Sequence, residues 1–69
     1  MNERIEQTLG RNIRAERRRL GLTKTDFCLQ AGISRVLLDL VEENRSNLKL
    51  STLEKIAHAL GKEPWELLK

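Results

Sequence analysis

Apolar residues within the first twenty positions recur at the spacing of one helical face. A stripe of this kind is typical of an amphipathic α-helix that packs on a core. Arg17 falls on the same side of the predicted helix, so the pattern places this arginine on the apolar face. Gly21 stops the helix near Leu20. The apolar positions of this first helix are Ile5, Leu9, Ile13 and Leu20.

Two short helices separated by a tight turn follow the first one. Thr23 opens a Thr-x-x-Asp start signal, in which the hydroxyl accepts from an early amide of a helix that runs to about Ala31. Gly32 supplies the left-handed backbone position that ends this helix. Ser34 then caps a third helix over about 35–43. The spacing therefore predicts two helices that meet across a very short connection.

The last third of the chain predicts a loop and two more helices. Polar residues over 44–50 indicate the loop, and a Ser-x-x-Glu capping box at Ser51 predicts the start of the fourth helix. Gly61 ends that helix, and Pro64, favoured at a first helical position, begins a short fifth helix. The apolar face of the fourth helix consists of Leu53, Ile56, Ala57 and Leu60.

Composition and charge narrow the class of protein. A chain of 69 residues with 39% hydrophobic positions, one Trp, one Phe and no Tyr suits a single all-α domain. The net charge of +3 is uneven, with +4 on residues 1–24 and −1 on the remaining 45. A basic segment of this kind fits a polyanionic partner and also fits a solvated helix face. Charge alone leaves both interpretations open.

The sequence also argues against several other protein classes. One Cys allows neither an intrachain disulfide nor a zinc-binding set. No apolar run approaches the roughly 20 residues that span a bilayer, and no signal-peptide pattern begins the chain. We therefore expect a cytoplasmic protein without a membrane partner. Because there is no Ser/His/acid trio and no glycine-rich phosphate loop, we expect no enzyme activity, cofactor or metal.

The two short helices at about 23–43 carry the most information on function. Helices joined this tightly cross steeply, so the second one protrudes, and an α-helix fits the major groove of B-DNA. Free amides and the macrodipole at helix N-termini favour phosphates. Because a tight glycine turn also occurs in small bundles that bind no nucleic acid, this motif taken singly is moderately specific.

The sequence resembles the Cro and phage-repressor family of helix-turn-helix regulators, the XRE type, from residue 9 to 68. The matching segments are RAERRRLGLT at 14–23, AGISR at 31–35, LEKIAHALG at 53–61 and PWELL at 64–68. This resemblance implies a compact, five-helix, lambda-repressor-like fold in a single domain over 1–69. It further implies a bacterial, phage or plasmid transcription regulator, repressor-like, that works as a homodimer on a double-stranded DNA operator and takes no small-molecule ligand.

The resemblance also implies roles for individual residues. Arg35 would donate two hydrogen bonds to guanine O6 and N7, worth about 1–3 kcal/mol of discrimination, while Val36 and Leu40 would pack on thymine methyl groups. Arg17 and Glu42 match a family pair that bridges the first and third helices, and we expect this pair to be structural. The implied base contacts are Ser34, Arg35, Val36 and Leu40. The implied phosphate contacts are Thr23, Lys24, Thr25, Arg45 and Asn47.

Some positions depart from the family pattern. Lys24 stands where the family commonly has Gln, and its ammonium can still meet a phosphate. Asp39 occupies a position that is often Ser or Thr near the DNA backbone, where we expect it, together with Glu43, to repel phosphates. Asn44 replaces a usual Gly, which is a mild change because Asn accepts the same backbone region.

The apolar residues of the third helix suggest an alternative function. Leu38 and Val41 point toward the core, which leaves Val36, Leu37 and Leu40 as an exposed apolar surface. Such a patch commonly marks an interface, so the same fold could serve as a scaffold that binds another protein. Cations that converge on one face would instead favour DNA as the partner. The candidate cations are Lys24, Arg35, Arg45 and Lys49.

Three remaining side chains each have a structural and a functional interpretation. We expect Cys28 to be a small buried hydrophobe and His58 to be a solvated surface residue. Trp65 fits the core between the fourth and fifth helices. An aromatic residue at this place could equally anchor a dimer partner together with Leu68.

Overall fold

A computed structural model describes residues 4–43 and 48–69 of the chain. These residues form helices only, which confirms the all-α prediction for the described part. The predicted fifth α-helix is instead a 3₁₀ helix of five residues, a form that is common for such short terminal segments. The elements are α1 (Ile5–Arg19), α2 (Lys24–Ala31), α3 (Arg35–Glu42), α4 (Leu50–Leu60) and the 3₁₀ helix (Pro64–Leu68).

One buried cluster joins all five elements. α1 packs on α3, α4 and the 3₁₀ helix, and α2 packs on α3 and α4. Burial of one Leu, Ile or Phe side chain stabilises a fold by about 1.5–3 kcal/mol, so this cluster is the main source of stability. Each element contributes one fully buried large side chain, and these are Ile13, Phe27, Leu38, Ile56 and Leu67.

The apolar stripe predicted for α1 is buried only in its middle. Leu9 and Ile13 lie in the core, as predicted, and so does Arg17. Ile5 and Leu20 are 57% and 42% exposed, so their expected burial was wrong. The reason is positional, because Ile5 is the first residue of α1 and Leu20 follows its last, so both stand at the ends of the helix.

α4 begins two residues earlier than the capping box at Ser51 predicts. Its first residue is Leu50, and Lys49 occupies the cap position without a side-chain capping bond. The carbonyl of Lys49 accepts from the amide of Leu53 at 3.0 Å, which starts the helix before Ser51 is reached. The predicted apolar face and the end at Gly61, with φ 69°, are confirmed.

The 3₁₀ helix buries a different residue from the one predicted. Trp65 is 59% exposed, so its placement in the core was wrong, and Leu67 fills that place instead. Asn12 of α1 fixes the end of the 3₁₀ helix, because its side-chain amide donates to the carbonyl oxygens of Leu67 (2.9 Å) and Lys69 (3.2 Å). This anchoring sets which side of the short helix faces α1.

Candidate nucleic-acid interface

Backbone hydrogen bonds close the turn between α2 and α3. Gly32 has φ 71° and ψ 36°, and the amides of Gly32 and Ile33 both donate to the carbonyl of Cys28, at 2.9 and 3.1 Å. A Cβ disfavours this left-handed backbone, which is why glycine suits the position. The Ser34 hydroxyl accepts from the amide of Leu37 at 3.0 Å and so caps α3. The short connection predicted between the two helices is confirmed.

The N-terminal ends of α2 and α3 carry most of the residues predicted to contact DNA. Thr23 caps α2, because its hydroxyl accepts from the amide of Asp26 at 3.0 Å. At the corresponding end of α3, Ser34 and Arg35 are exposed, and Val36 is 69% exposed. Across both ends, Lys24 is half-buried, and the exposed residues are Thr23, Thr25, Ser34, Arg35 and Val36. Leu40 lies further along α3 and is half-buried.

Two of the predicted cationic contacts meet at a single carboxylate. Lys24 Nζ lies 3.0 Å from Asp39 Oδ1, and Arg35 Nε lies 3.5 Å from the same oxygen. The hydrogen bond from Lys24, together with the charges of Lys24 and Arg35, holds the pKa of Asp39 below its usual value. Asp39 is therefore ionised at neutral pH, and both ion pairs persist into mildly acidic solution.

The apolar surface expected on α3 is smaller than the sequence predicts. Leu37 is half-buried and packs against the core, and Leu40 is also half-buried. The expected exposure was wrong for both residues because α3 packs against both α1 and α2. Val36 is the member of this trio that is strongly exposed.

A buried ion pair joins α1 to the end of α3. Arg17 donates through Nε to Glu42 Oε2 at 2.9 Å and through Nη2 to Glu42 Oε1 at 3.2 Å. Its third nitrogen, Nη1, donates to the carbonyl of Leu22 at 3.0 Å. Arg14 approaches the same carboxylate at 3.6 Å from a more exposed position. The contact that the sequence resemblance implies between Arg17 and Glu42 is thus present, and it fixes α3 on the bundle.

The remaining side chains with candidate chemistry are placed as follows. Cys28 is buried and His58 is exposed, as predicted. Desolvation raises the pKa of the Cys28 thiol. The part of the chain that the structure describes contains no group of His, Cys, Asp and Glu able to hold a metal ion. No helix in the same ranges is long and apolar enough to cross a membrane.

Family comparison agrees with this geometry. The sequence model of a helix-turn-helix family, HTH_3, matches residues 13–67. The chain belongs to the HTH_3 family. The resemblance found in the sequence is thereby confirmed, and the matched range contains the helix-turn-helix unit, here defined as α2, the Gly32 turn and α3.

Two curated relatives are similar to this HTH_3 chain over most of its length. A hypothetical transcription factor of Neisseria meningitidis is 34% identical over 64 residues, which cover 93% of this chain and 60% of the relative. The immunity repressor protein of Bacillus phage phi105 is 43% identical over 54 residues, which cover 78% of this chain and 38% of the repressor. The HTH_3 chain thus spans about 60% or less of these relatives' lengths.

Solved structures of related regulators have the same fold. The hypothetical transcription factor NHTF from Neisseria has a TM-score of 0.90 at 33% identity, over 96% of this chain and 76% of that one. The restriction-modification controller protein C.AhdI from Aeromonas hydrophila has a TM-score of 0.85 at 31% identity, over 90% and 94% of the two chains. The second match spans nearly the whole of a controller protein.

Sequence reasoning missed one contact of this HTH_3 chain, and some predicted site residues lie outside the structure. Asp39, expected to repel phosphates, is paired with Lys24 and Arg35, and its effect on DNA stays a prediction. The four-residue spacing to Arg35 on one helix was a usable signal for half of this contact. Arg45 and Asn47, predicted to contact phosphates, lie outside the described residues, as does Asn44.

Proposed function

We propose that this protein is a sequence-specific DNA-binding transcription regulator, repressor-like, that reads the major groove with α3. The observation that carries the proposal is the exposed first turn of α3 with Ser34, Arg35 and Val36. Arg35 there shares the Asp39 carboxylate with Lys24, the first residue of α2. A protruding helix end with a guanidinium on it suits base edges in the major groove. The repressor and controller relatives support the same class of function.

Each set of residues has its own role in this proposal. Arg35 donates to guanine, and Ser34, Val36 and Leu40 make the neighbouring base contacts. Thr23, Lys24 and Thr25 meet phosphates at the start of α2, where free amides favour anions. Arg45 and Asn47 are assigned to phosphates on the strength of the family resemblance.

We propose that the protein binds its operator as a homodimer. A two-fold dimer places two copies of α3 in successive major grooves about 34 Å apart. The exposed Trp65, over which Lys69 Nζ lies 4.7 Å from the ring centroid, and the half-buried Leu68 are the candidate interface residues. A large exposed aromatic on a terminal helix supports this assignment, since aromatic residues are enriched at interfaces.

Protein docking through α3 is the weaker alternative. It needs a contiguous apolar surface, and Leu37 is instead packed against the core. Lys24 and Arg35 lie together beside Asp39, so the exposed Val36 is accompanied by cations. These features favour a nucleic-acid partner over an apolar protein surface.

Selection from a random duplex library tests the proposed function directly. The purified protein should enrich one family of related sequences, and affinity for the enriched duplex should fall with salt. Each neutralised phosphate contributes a slope of about −0.9 in log K against log salt concentration. Fluorescence anisotropy at several salt concentrations measures that slope. A protein that enriches no sequence and binds no duplex at low salt would refute the proposal.

A further inference from the structure

Asp39 is an acidic side chain in the middle of the surface assigned to DNA. One of its oxygens, Oδ1, contacts Lys24 Nζ of α2 at 3.0 Å and Arg35 Nε of α3 at 3.5 Å. An unpaired carboxylate at this place would repel phosphates. Lys24 offsets that charge through its hydrogen bond, so the protein can keep an acidic residue here.

The contact with Arg35 restricts the direction of its guanidinium. A guanidinium is planar, and its five N–H donors have a fixed fork geometry. Because Asp39 engages Nε, the two terminal nitrogens are left for an outside acceptor. These two nitrogens are a pair that can donate side by side to O6 and N7 of a guanine. Arg35 is 54% exposed in its side chain, so without Asp39 it would sample many directions.

We propose that Asp39 is a specificity-determining residue of the DNA-binding surface, which orients Arg35 for guanine while Lys24 neutralises its charge. The inference rests on the proposed function. Asp39 contacts Arg35, the side chain that reads the base, and does not itself contact the DNA. On duplexes without the matching guanine, Arg35 held in this direction lacks its base acceptor, so affinity is lower. On the operator, Arg35 reaches its guanine without breaking its contact with Asp39.

The test compares Asp39→Asn with the wild-type protein on two probes. One probe is the duplex that the wild-type protein enriches from a random library, and the other is a scrambled duplex of the same length. Asn keeps the size of the side chain but loses its charge. Asp26→Asn makes the same chemical change at an exposed position of α2 and is the matched control. Far-UV circular dichroism and thermal melting verify that each variant is folded.

The expected result is a fall in the ratio of selected to scrambled affinity. In Asp39→Asn this ratio should fall, but by no more than in Arg35→Ala, where loss of the whole two-bond contact lowers it about fivefold or more. Asp26→Asn should leave it unchanged. In an Arg35→Ala background, Asp39→Asn should no longer change the ratio. With Arg35 present, Asp39→Glu, which retains the charge, should keep part of the selectivity that Asp39→Asn loses.

Other results would overturn the inference. Equal gains on both probes would mean that Asp39 acts only by repelling DNA, and an unchanged or higher ratio would mean that it does not orient Arg35. An effect that persists in the Arg35→Ala background would contradict the inference as well. These outcomes differ from failure of the proposed function, in which the wild-type protein itself enriches no duplex.

Discussion

The buried contact between Arg17 and Glu42 allows a sharp test of what holds α3 in place. Glu42 has a side chain that is 1% exposed, and it accepts two hydrogen bonds from an arginine that is 8% exposed. Arg17→Met removes both of those bonds and leaves the carboxylate buried, with Arg14 Nε, at 3.6 Å, as the cation that remains beside it among the described residues. Breaking a buried pair in this way costs about 3–5 kcal/mol.

That loss is large for a chain of this size. A stability of about 0.05–0.15 kcal/mol per residue gives 69 residues a free energy of unfolding of about 3–10 kcal/mol. We therefore expect Arg17→Met and Glu42→Leu to lose a third or more of the stability. Replacing both partners should be far milder, because two well-packed apolar side chains of similar volume are commonly neutral or stabilising in such a site.

Urea denaturation followed by far-UV circular dichroism measures these changes through the helical signal. Arg19→Met is the control, because its pair with Glu16 has a 2.8 Å contact but a 59% exposed arginine. Exposed pairs of this kind contribute about 0–1 kcal/mol. The reasoning would be refuted if Arg17→Met cost no more than Arg19→Met. A double variant as unstable as the two single ones would refute it as well.

Arg35→Ala should lower affinity for the selected duplex by about 1–3 kcal/mol and relax base choice at one position. Fluorescence anisotropy with operator variants measures both effects, and an unchanged base profile would contradict this prediction. Lys24→Ala should weaken binding to selected and scrambled duplexes alike, because it removes a cation and leaves Asp39 with the more distant Arg35; a selective loss would be the contrary result. Trp65→Ala should weaken the homodimer by about 2 kcal/mol or more in sedimentation velocity, and an unchanged dimer would place the interface elsewhere. Cys28 has a raised thiol pKa and a buried side chain, so a thiol reagent at about pH 8 should label it slowly in buffer and quickly in urea. Equal rates would contradict its burial.

Most helix boundaries followed from short-range chemistry that is visible in the sequence. Thr23 and Ser34 cap their helices, because each hydroxyl accepts a hydrogen bond from the backbone amide three residues further along the chain. Gly32 and Gly61 adopt the left-handed backbone at the ends of α2 and α4. Periodicity also identified the buried face of α4. The pairing of Arg17 with Glu42 needed the family resemblance, because 25 residues separate the two.

The wrong predictions concern apolar residues, because the sequence alone does not determine which of them faces the core. Trp65 and Leu67 are both apolar members of a five-residue helix, and the bonds from Asn12, 55 residues away, accompany burial of the second. Leu37 was assigned to the surface because a helical stripe does not reveal how many neighbours a helix has. α3 has two, α1 and α2, and their packing widens its buried face.

The local sequence determined where most of the helices begin and end, because caps and glycine turns involve atoms within about four residues of each other. It also determined that a helix-turn-helix with cations near its helix starts would form. Only the tertiary structure decided the partner of Lys24, since Asp39 meets Lys24 across 15 residues of chain. That contact depends on the angle and distance at which α2 and α3 cross, which are set by the packing of the whole core.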